Sequence, residues 1–251
     1  MTTVKTTLIG GPTLVMRYAG QTILTDPTFD PPGDYGNLTK VKGPAISVED
    51  LGRVDVVLLS HDQHEDNLDT AGREVVARVR HVLSTPHAGE RMDNVQGMRR
   101  WDTAILPGSE ADVTVTAVPA RHGPRAIKQV TGQVTGFVLQ AEGWPTVYLS
   151  GDNSSVKKAR KVAEAFPEVD IAVLFAGAAK VERLGDMLLT MDAERCARVA
   201  ALWPRAAIVP IHVDGWSHFT EPMDDFLAGF AEHATTERVV VLEPGTQRAL
   251  A

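Results

Sequence analysis

His61, His64 and Asp66 crowd into the run Ser60-His61-Asp62-Gln63-His64-Glu65-Asp66-Asn67, which directly follows the apolar segment Val54–Leu59. The run holds no basic residue to balance its carboxylates, and a divalent cation would supply that balance. His122, Asp152 and His212 each stand just beyond another segment that reads as a strand. A lone histidine at a strand end is ordinarily a hydrogen-bonded loop residue. Imidazoles and carboxylates after several separate strands make a shared ion the better reading. Nitrogen and oxygen donors of this kind suit Zn²⁺, Mn²⁺ or Fe²⁺, and the single cysteine, Cys196, excludes a site built from several thiolates.

Such residues need a scaffold that brings strand ends together. Leu14, Met16 and Tyr18 alternate with Val15 and Arg17, and Ala19-Gly20 turns the chain into 22–25, so the chain opens as a β-meander. Residues 30–44, rich in Pro, Gly, Asp and Asn, read as an exposed loop, and Ser47–Leu51 as a short helix capped by Ser47. Val54–Leu59 is apolar enough for a strand buried on both faces. A helix over 68–80 and a strand over 82–84 follow. Strands are expected over 111–118, 134–140 and 146–150. Helices over 156–165, 193–202 and 223–233 then alternate with strands over 171–174, 207–211 and 238–242. Blocks of strands mixed with helix–strand units, without a linker or composition break, predict one domain over 1–251 in the α+β class. In open sheets ligands gather beyond the carboxyl ends of strands, which is where the candidate residues fall.

The 251 residues, 43% hydrophobic and 23% charged, are those of an ordinary globular chain. With 25 Lys+Arg against 32 Asp+Glu the net charge is −7, and no basic run favours nucleic acid or an anionic membrane as partner. A small-molecule substrate is expected instead, and a homo-oligomer is compatible with the composition. The first twenty residues lack a basic start followed by an apolar run, so a cytoplasmic location is expected. Cys196 reads as a small buried hydrophobe, and His81, His87 and His233 as surface or capping residues.

The run LLSHDQHEDNLD resembles the signature H-x-H-x-D-H of the metallo-β-lactamase superfamily. PARHGP, YLSGDN and VPIHVDGW resemble the segments that bear that family's later ligands, in the family's order. The opening LIGGPTLVMRYAGQTILTDPTFD resembles the branch containing L-ascorbate-6-phosphate lactonases and N-acyl phosphatidylethanolamine phospholipase D. The resemblance implies a four-layer αββα sandwich, two mixed sheets flanked by helices. It also implies a metal-dependent hydrolase that turns a metal-bound hydroxide on an ester, lactone or phosphodiester. One or two ions are implied, with zinc first and manganese or iron as alternatives. His61, His64 and His122 would surround one ion, Asp66 and His212 the other, and Asp152 would lie between. Asp66 would also orient the attacking oxygen or take its proton.

The first motif departs from the family's pattern. Aligned on Ser60, His61 is the first ligand and one residue is inserted. Aligned on Asp66-Asn67, Asp62 takes that place and Asn67 replaces the third histidine. A neutral amide is a poor zinc ligand, so a non-catalytic or regulatory metal-binding protein with an impaired second site is the rival reading. Among supporting residues, Asp26 either accepts the far N–H of a ligand imidazole or makes a turn with Pro27. Trp216 and His218 line the substrate pocket on this reading, with His218 donating a proton to the leaving group. Arg121, Arg125 and Lys128 beside His122 read as a solvated basic loop, with reception of an anionic group as the alternative.

Overall fold

Alternation at the start of the chain is realised as the antiparallel meander β1 (Val4–Gly10), β2 (Thr13–Tyr18) and β3 (Gln21–Thr25), in a computed structural model that describes residues 2–250. The small hairpin β4 (Gly33–Asp34) and β5 (Thr39–Lys40) follows, then β6 (Val56–Leu58), α1 (Thr70–Arg78), β7 (His81–Ser84), α2 (Pro86–Arg91) and β8 (Val95–Gly97). The second half runs β9 (Thr103–Leu106), β10 (Val113–Pro119), α3 (Lys128–Thr131), β11 (Thr135–Gln140), β12 (Val147–Leu149) and α4 (Val156–Ala165). It ends with β13 (Ile171–Phe175), α5 (Ala193–Ala200), β14 (Ala207–Ile211), α6 (Met223–Ala231) and β15 (Gln247–Leu250).

Two large mixed sheets result, ordered β15-β1-β2-β3-β6-β7-β8 and β14-β13-β12-β11-β10-β9. Three apolar clusters define four layers. Met16, Ile23, Val56, Val115, Phe137 and Val173 meet between the sheets. Leu24, Val57 and Val82 pack outward against Val75 and Val76 of α1 and Ala88 of α2. On the opposite side Tyr148, Ala172 and Ile208 pack against Val162, Cys196, Phe226 and Phe230 of α4, α5 and α6. Each such side chain contributes about 1.5–3 kcal/mol on burial. The expected αββα sandwich is therefore the fold, and Cys196 lies buried in α5 as expected.

Helix starts follow local chemistry. Asp69, Thr85 and Asp192 each accept a backbone N–H of the first turn, at α1, α2 and α5. Two expected elements are not formed. Residues 47–51 make a turn in which Ser47 Oγ accepts the Asp50 N–H at 3.2 Å, too short a segment to continue as helix. Residues 238–242 bridge the second sheet at Val239 opposite Ile208, with the Val240 N–H on the Ile208 carbonyl, and pack Val240 and Leu242 against the intersheet core, but do not continue as a ladder. The 30–44 loop is largely exposed, as its composition suggests, with Lys40 buried, and it carries β4 and β5. Among the described residues no helix is long and apolar enough to cross a membrane.

Strand direction prepares the site. β3, β6 and β7 are parallel in the first sheet. In the second, β12, β13 and β14 are parallel, and β10 runs with them because β11 is antiparallel to both β10 and β12. The residues that follow β3, β6, β10, β12 and β14 are the candidate residues of the sequence.

Candidate metal centre

The loop after β6 is fixed by an acid at the end of the neighbouring strand. Register pairs Thr25 with Leu58, so Asp26 stands beside Ser60 and its Oδ1 accepts the Ser60 N–H at 2.6 Å. Ser60 Oγ in turn lies 3.0 Å from His61 Nδ1, which turns His61 Nε2 inward to 2.8 Å from His64 Nδ1. Asp26 thus positions the loop through a backbone amide and makes no hydrogen bond to a ligand imidazole, the first of the two roles the sequence left open. Its backbone carries φ +30°, uncommon for a side-chain-bearing residue. Burial, with the charges of Asp152 and Asp66 adding, pushes its carboxyl well above the usual range.

The two readings of the first motif are now separated. Asp62 faces Arg91, whose Nε donates to Oδ2 at 2.7 Å and whose second nitrogen donates to Oδ1. Burial pulls the Asp62 carboxyl up, but Arg91 outweighs it and holds it below the usual range. His61, fully buried, turns into the cluster, and Asp62 turns away.

The second sheet brings the remaining groups. His122 follows β10, and its Nδ1 lies 2.9 Å from the Leu189 carbonyl. A carbonyl only accepts, so Nδ1 carries the proton and Nε2 keeps its lone pair in the neutral ring. Burial keeps that ring neutral, pulling its pKa down to about 4 against the opposing field of Asp66. Gly151 allows Asp152 its place: a Cβ there would lie 2.5 Å from the Thr135 carbonyl oxygen and 2.8 Å from Ser60 Cβ, at φ +53°. Glycine is what lets the two sheets approach here. His212 follows β14 with φ +62°, held by its N–H on the Gly11 carbonyl at 2.9 Å and by Phe175 stacked at 5.4 Å.

Ligand atoms of His61, His64, His122 and Asp152 lie within 4.8 Å of one another, and so do those of Asp66, Asp152 and His212. His212 Nε2 is 3.3 Å from Asp66 Oδ2 and 3.8 Å from Asp152 Oδ1, and His218 Nε2 is 3.1 Å from Asp66 Oδ2. Asn67 is fully buried and donates from Nδ2 to Asp152 Oδ1 at 3.2 Å. Among the described residues neither Asp66 nor Asp152 pairs with a lysine or arginine. Asp152 Oδ2, Asn67 Oδ1 and both His212 nitrogens are buried without a hydrogen-bond partner. Orphaned donors and acceptors of this kind call for an explanation, and a cation between the two groups satisfies the carboxylate and imidazole atoms together.

Charge is divided unevenly. Burial, with His64 and His122 adding, holds His61 well below its ordinary pKa, and burial with His122 lowers His64. Burial also opposes charge on His212, but Asp152 and Asp66 outweigh it and raise that ring. Burial raises Asp66 less than His212 and His218 lower it, leaving its carboxyl well below the usual range, whereas Asp152 is raised by burial against the pull of His212. One group therefore gathers imidazoles whose protonation is disfavoured, and the other an imidazole whose protonation its carboxylates favour.

A family profile described as a beta-lactamase superfamily domain matches residues 21–213. The chain belongs to the beta-lactamase superfamily. A metal-dependent hydrolase of Pyrococcus abyssi is 26% identical over 229 residues, covering 91% of this chain and 92% of that one. A second, from Anaeromyxobacter dehalogenans, is 27% identical over 255 residues, covering 96% and 85%. Among solved structures, an isothiocyanate hydrolase from Delia radicum gut bacteria superposes with TM-score 0.84 at 23% identity, covering 98% of this chain and 99% of that chain. A metallo hydrolase from Ignicoccus hospitalis gives 0.73 at 22% identity, covering 100% and 99%. These structures share the fold.

In this superfamily member the cluster opens into a cavity of about 200 Å³ whose walls include Leu38, Val130, Val181, Leu184 and Leu189, with His64, Asp66, His122 and His218 at its floor. Leu38 belongs to the 30–44 loop, which therefore reaches the cavity. His218 is where the sequence reading put it. Trp216 is not: it is buried behind the floor, against Lys40 and Gly11, and lines a different cavity. Its indole is turned back because Ser217 N–H donates to the Thr39 carbonyl and Gly215 bonds the amides of Val41 and Lys42. Sequence reasoning missed Leu189, whose carbonyl sets the His122 tautomer, and Arg91, which claims Asp62. It also missed the buried pair Lys40–Asp69 at 3.1 Å, which ties the loop to the start of α1.

Proposed function

We propose that this protein is a metal-dependent hydrolase acting on an ester, lactone or phosphodiester bond. The observation that carries the reading is the convergence of four imidazoles and two carboxylates at and beneath the cavity floor, with neither carboxylate paired to a lysine or arginine among the described residues. His61, His64, His122 and Asp152 would hold one ion, for which zinc suits three imidazoles. Asp66, Asp152 and His212 would hold a second, oxygen-richer one suited to manganese or iron as well. When bound, such an ion supplies Lewis acidity, enough to bring the pKa of water near neutral and to polarise a carbonyl or phosphoryl oxygen.

The chain's own residues do the rest. Leu189 and Ser60 hold the rings of His122 and His61 in fixed orientation. Asp66 keeps an ionised carboxylate at the cavity floor, able to take a proton from attacking water within hydrogen-bond reach. His218, 3.1 Å from Asp66 Oδ2 and on the same floor, is placed to return that proton to the leaving oxygen. Leu38, Val130 and Val181 would receive an apolar acyl or alkyl portion of the substrate, with the exposed Arg183 beside them on the lining.

His64→Ala tests the reading directly. The variant should remain folded by circular dichroism and lose bound metal by elemental analysis; unchanged metal content would sink the ligand assignment. Wild-type protein should turn over at least one of a carboxylic ester, a lactone and a phosphodiester, with activity lost to a chelator and restored by Zn²⁺ or Mn²⁺. Asn67, whose amide now bonds Asp152, keeps the regulatory reading open to the same assay: stoichiometric metal with no turnover would favour it.

A further inference from the structure

The segment from His122 to Gly132 has two faces. Val130 and Thr131 line the metal cavity, and Thr131 Oγ1 donates to the His122 carbonyl at 2.9 Å. Arg125, Lys128 and Gly132 face the other way, into a second cavity of about 630 Å³. Arg100 and Arg121 join them on that side. Lys157, Lys158 and Lys161, on the first two turns of α4, stand on the facing wall. No acidic side chain lines this cleft.

Five of these seven cations are exposed, Arg121 and Lys158 are half-buried, and what sets the gathering apart in a chain of net charge −7 is that no carboxylate interrupts it. Elsewhere nine lysine and arginine side chains find a carboxylate partner. Among the described residues none of these seven does so, and Arg121 Nε is buried without any partner. Like charges focused in a concavity repel one another and raise the local anion concentration. Lys158 registers this: partial burial, then Arg100, Lys161, Arg121 and Arg125, lower its pKa. The N-terminus of α4 opens on the same space, with Ser155 at its cap making no side-chain bond and the helix dipole adding positive potential. The sequence left Arg121, Arg125 and Lys128 either as a solvated loop or as receivers of an anionic group, and they form one wall of this cleft.

We propose that the cleft, which meets the metal cavity at His122, is a binding site for a compact oligophosphate: a small molecule carrying two or more linked phosphoryl groups. Cations on two facing walls match several phosphoryl groups better than one. The volume lies within the range of small-ligand pockets. A nucleic-acid strand is disfavoured on two grounds. The ring on its lining, the His122 imidazole, is buried and bonded to the Leu189 carbonyl, so the cleft presents no exposed aromatic platform to stack a base, and the acidic remainder of the surface repels a long polyanion that a compact one escapes.

The test is calorimetric titration of metal-loaded protein, freed of excess metal, with inorganic pyrophosphate and tripolyphosphate at about 0.15 M ionic strength, where exposed charges are screened beyond roughly 8 Å. Saturable one-to-one binding is expected, with orthophosphate at least tenfold weaker. The double variant Lys158→Ala/Lys161→Ala should bind at least tenfold more weakly at an unchanged melting temperature. His64→Ala should bind as the wild type does, because its lesion lies in the other cavity. ATP should match tripolyphosphate; ATP tighter by tenfold, and equally sensitive to the lysine variant, would assign the site to nucleotides through the same phosphate contacts. The proposal is overturned by absent saturation, by an undiminished lysine variant, by loss of binding in His64→Ala, or by displacement of tripolyphosphate only by single-stranded oligonucleotides.

Discussion

Asn67→Asp changes one atom at the junction of the two ligand groups. In the wild type Asn67 Nδ2 donates to Asp152 Oδ1 at 3.2 Å, so the substitution exchanges a hydrogen bond for two carboxylates in contact. At an effective dielectric of about 20 their repulsion is about 5 kcal/mol. The metal-free protein escapes part of this by binding a proton, which at pH 7 costs about 4 kcal/mol for a group of solution pKa near 3.9. Protonation is the cheaper route, so about 4 kcal/mol is the expected loss in chelator at pH 7. The sign follows from linkage: the folded variant binds the extra proton, so its deficit grows as pH rises above about 4 and vanishes below it. For a chain of this size that loss lowers the melting temperature by roughly 8–16 °C. With Zn²⁺ or Mn²⁺ present the added carboxylate becomes a ligand, and the deficit should shrink or reverse. Thermal melts of both proteins, with chelator and with saturating metal at pH 5 and 7.5, check the reasoning. A chelated variant as stable as wild type at pH 7.5, or one that gains no more from metal than wild type, would refute it.

Two further outcomes are expected. His61, His64 and His122 are held neutral by burial while His212 is raised by Asp152 and Asp66, so as pH falls from 8 toward 5 metal should leave the Asp66–Asp152–His212 group first. Metal content after equilibrium dialysis across that range should therefore fall in two steps, and a single step would contradict the division. Lys40→Met removes the cationic partner of fully buried Asp69; breaking such a pair costs about 3–5 kcal/mol, toward the lower end here because Asp69 also accepts the Asp30 and Gly72 N–H groups. Urea denaturation measures it, and a loss under about 1 kcal/mol would show that the pair contributes little.

Much of the fold was legible because its signals are local. The β6 strand is an unbroken valine–leucine run, α4 and β14 span the residues their periodicity indicates, and the cluster residues sit where strands end. What was not legible depends on distant partners. Whether His61 or Asp62 turns inward is decided by Arg91, 29 residues away on a helix the sequence reading did not resolve. Trp216 faces away from the cavity because backbone bonds from the 39–42 segment hold its loop. Residues 238–242 have the composition of a strand, yet among them only Val239 bridges β14, opposite Ile208. The basic cleft joins Arg100, Arg121, Arg125 and Lys128 to the short basic run at 157–161, which the sequence reading passed over and which only the fold brings opposite the others.

Each ligand group straddles the sheet interface. His61, His64 and Asp66 come from the first sheet, while His122, Asp152 and His212 come from the second, and no set of three is complete on one side. An ion held there would act as a non-covalent cross-link between the two halves of the chain, closing loops of more than fifty residues much as a disulfide does. Metal occupancy would then register assembly as well as catalysis. The first hundred residues alone should be unable to form either group, and separation of the halves should carry the metal off with it.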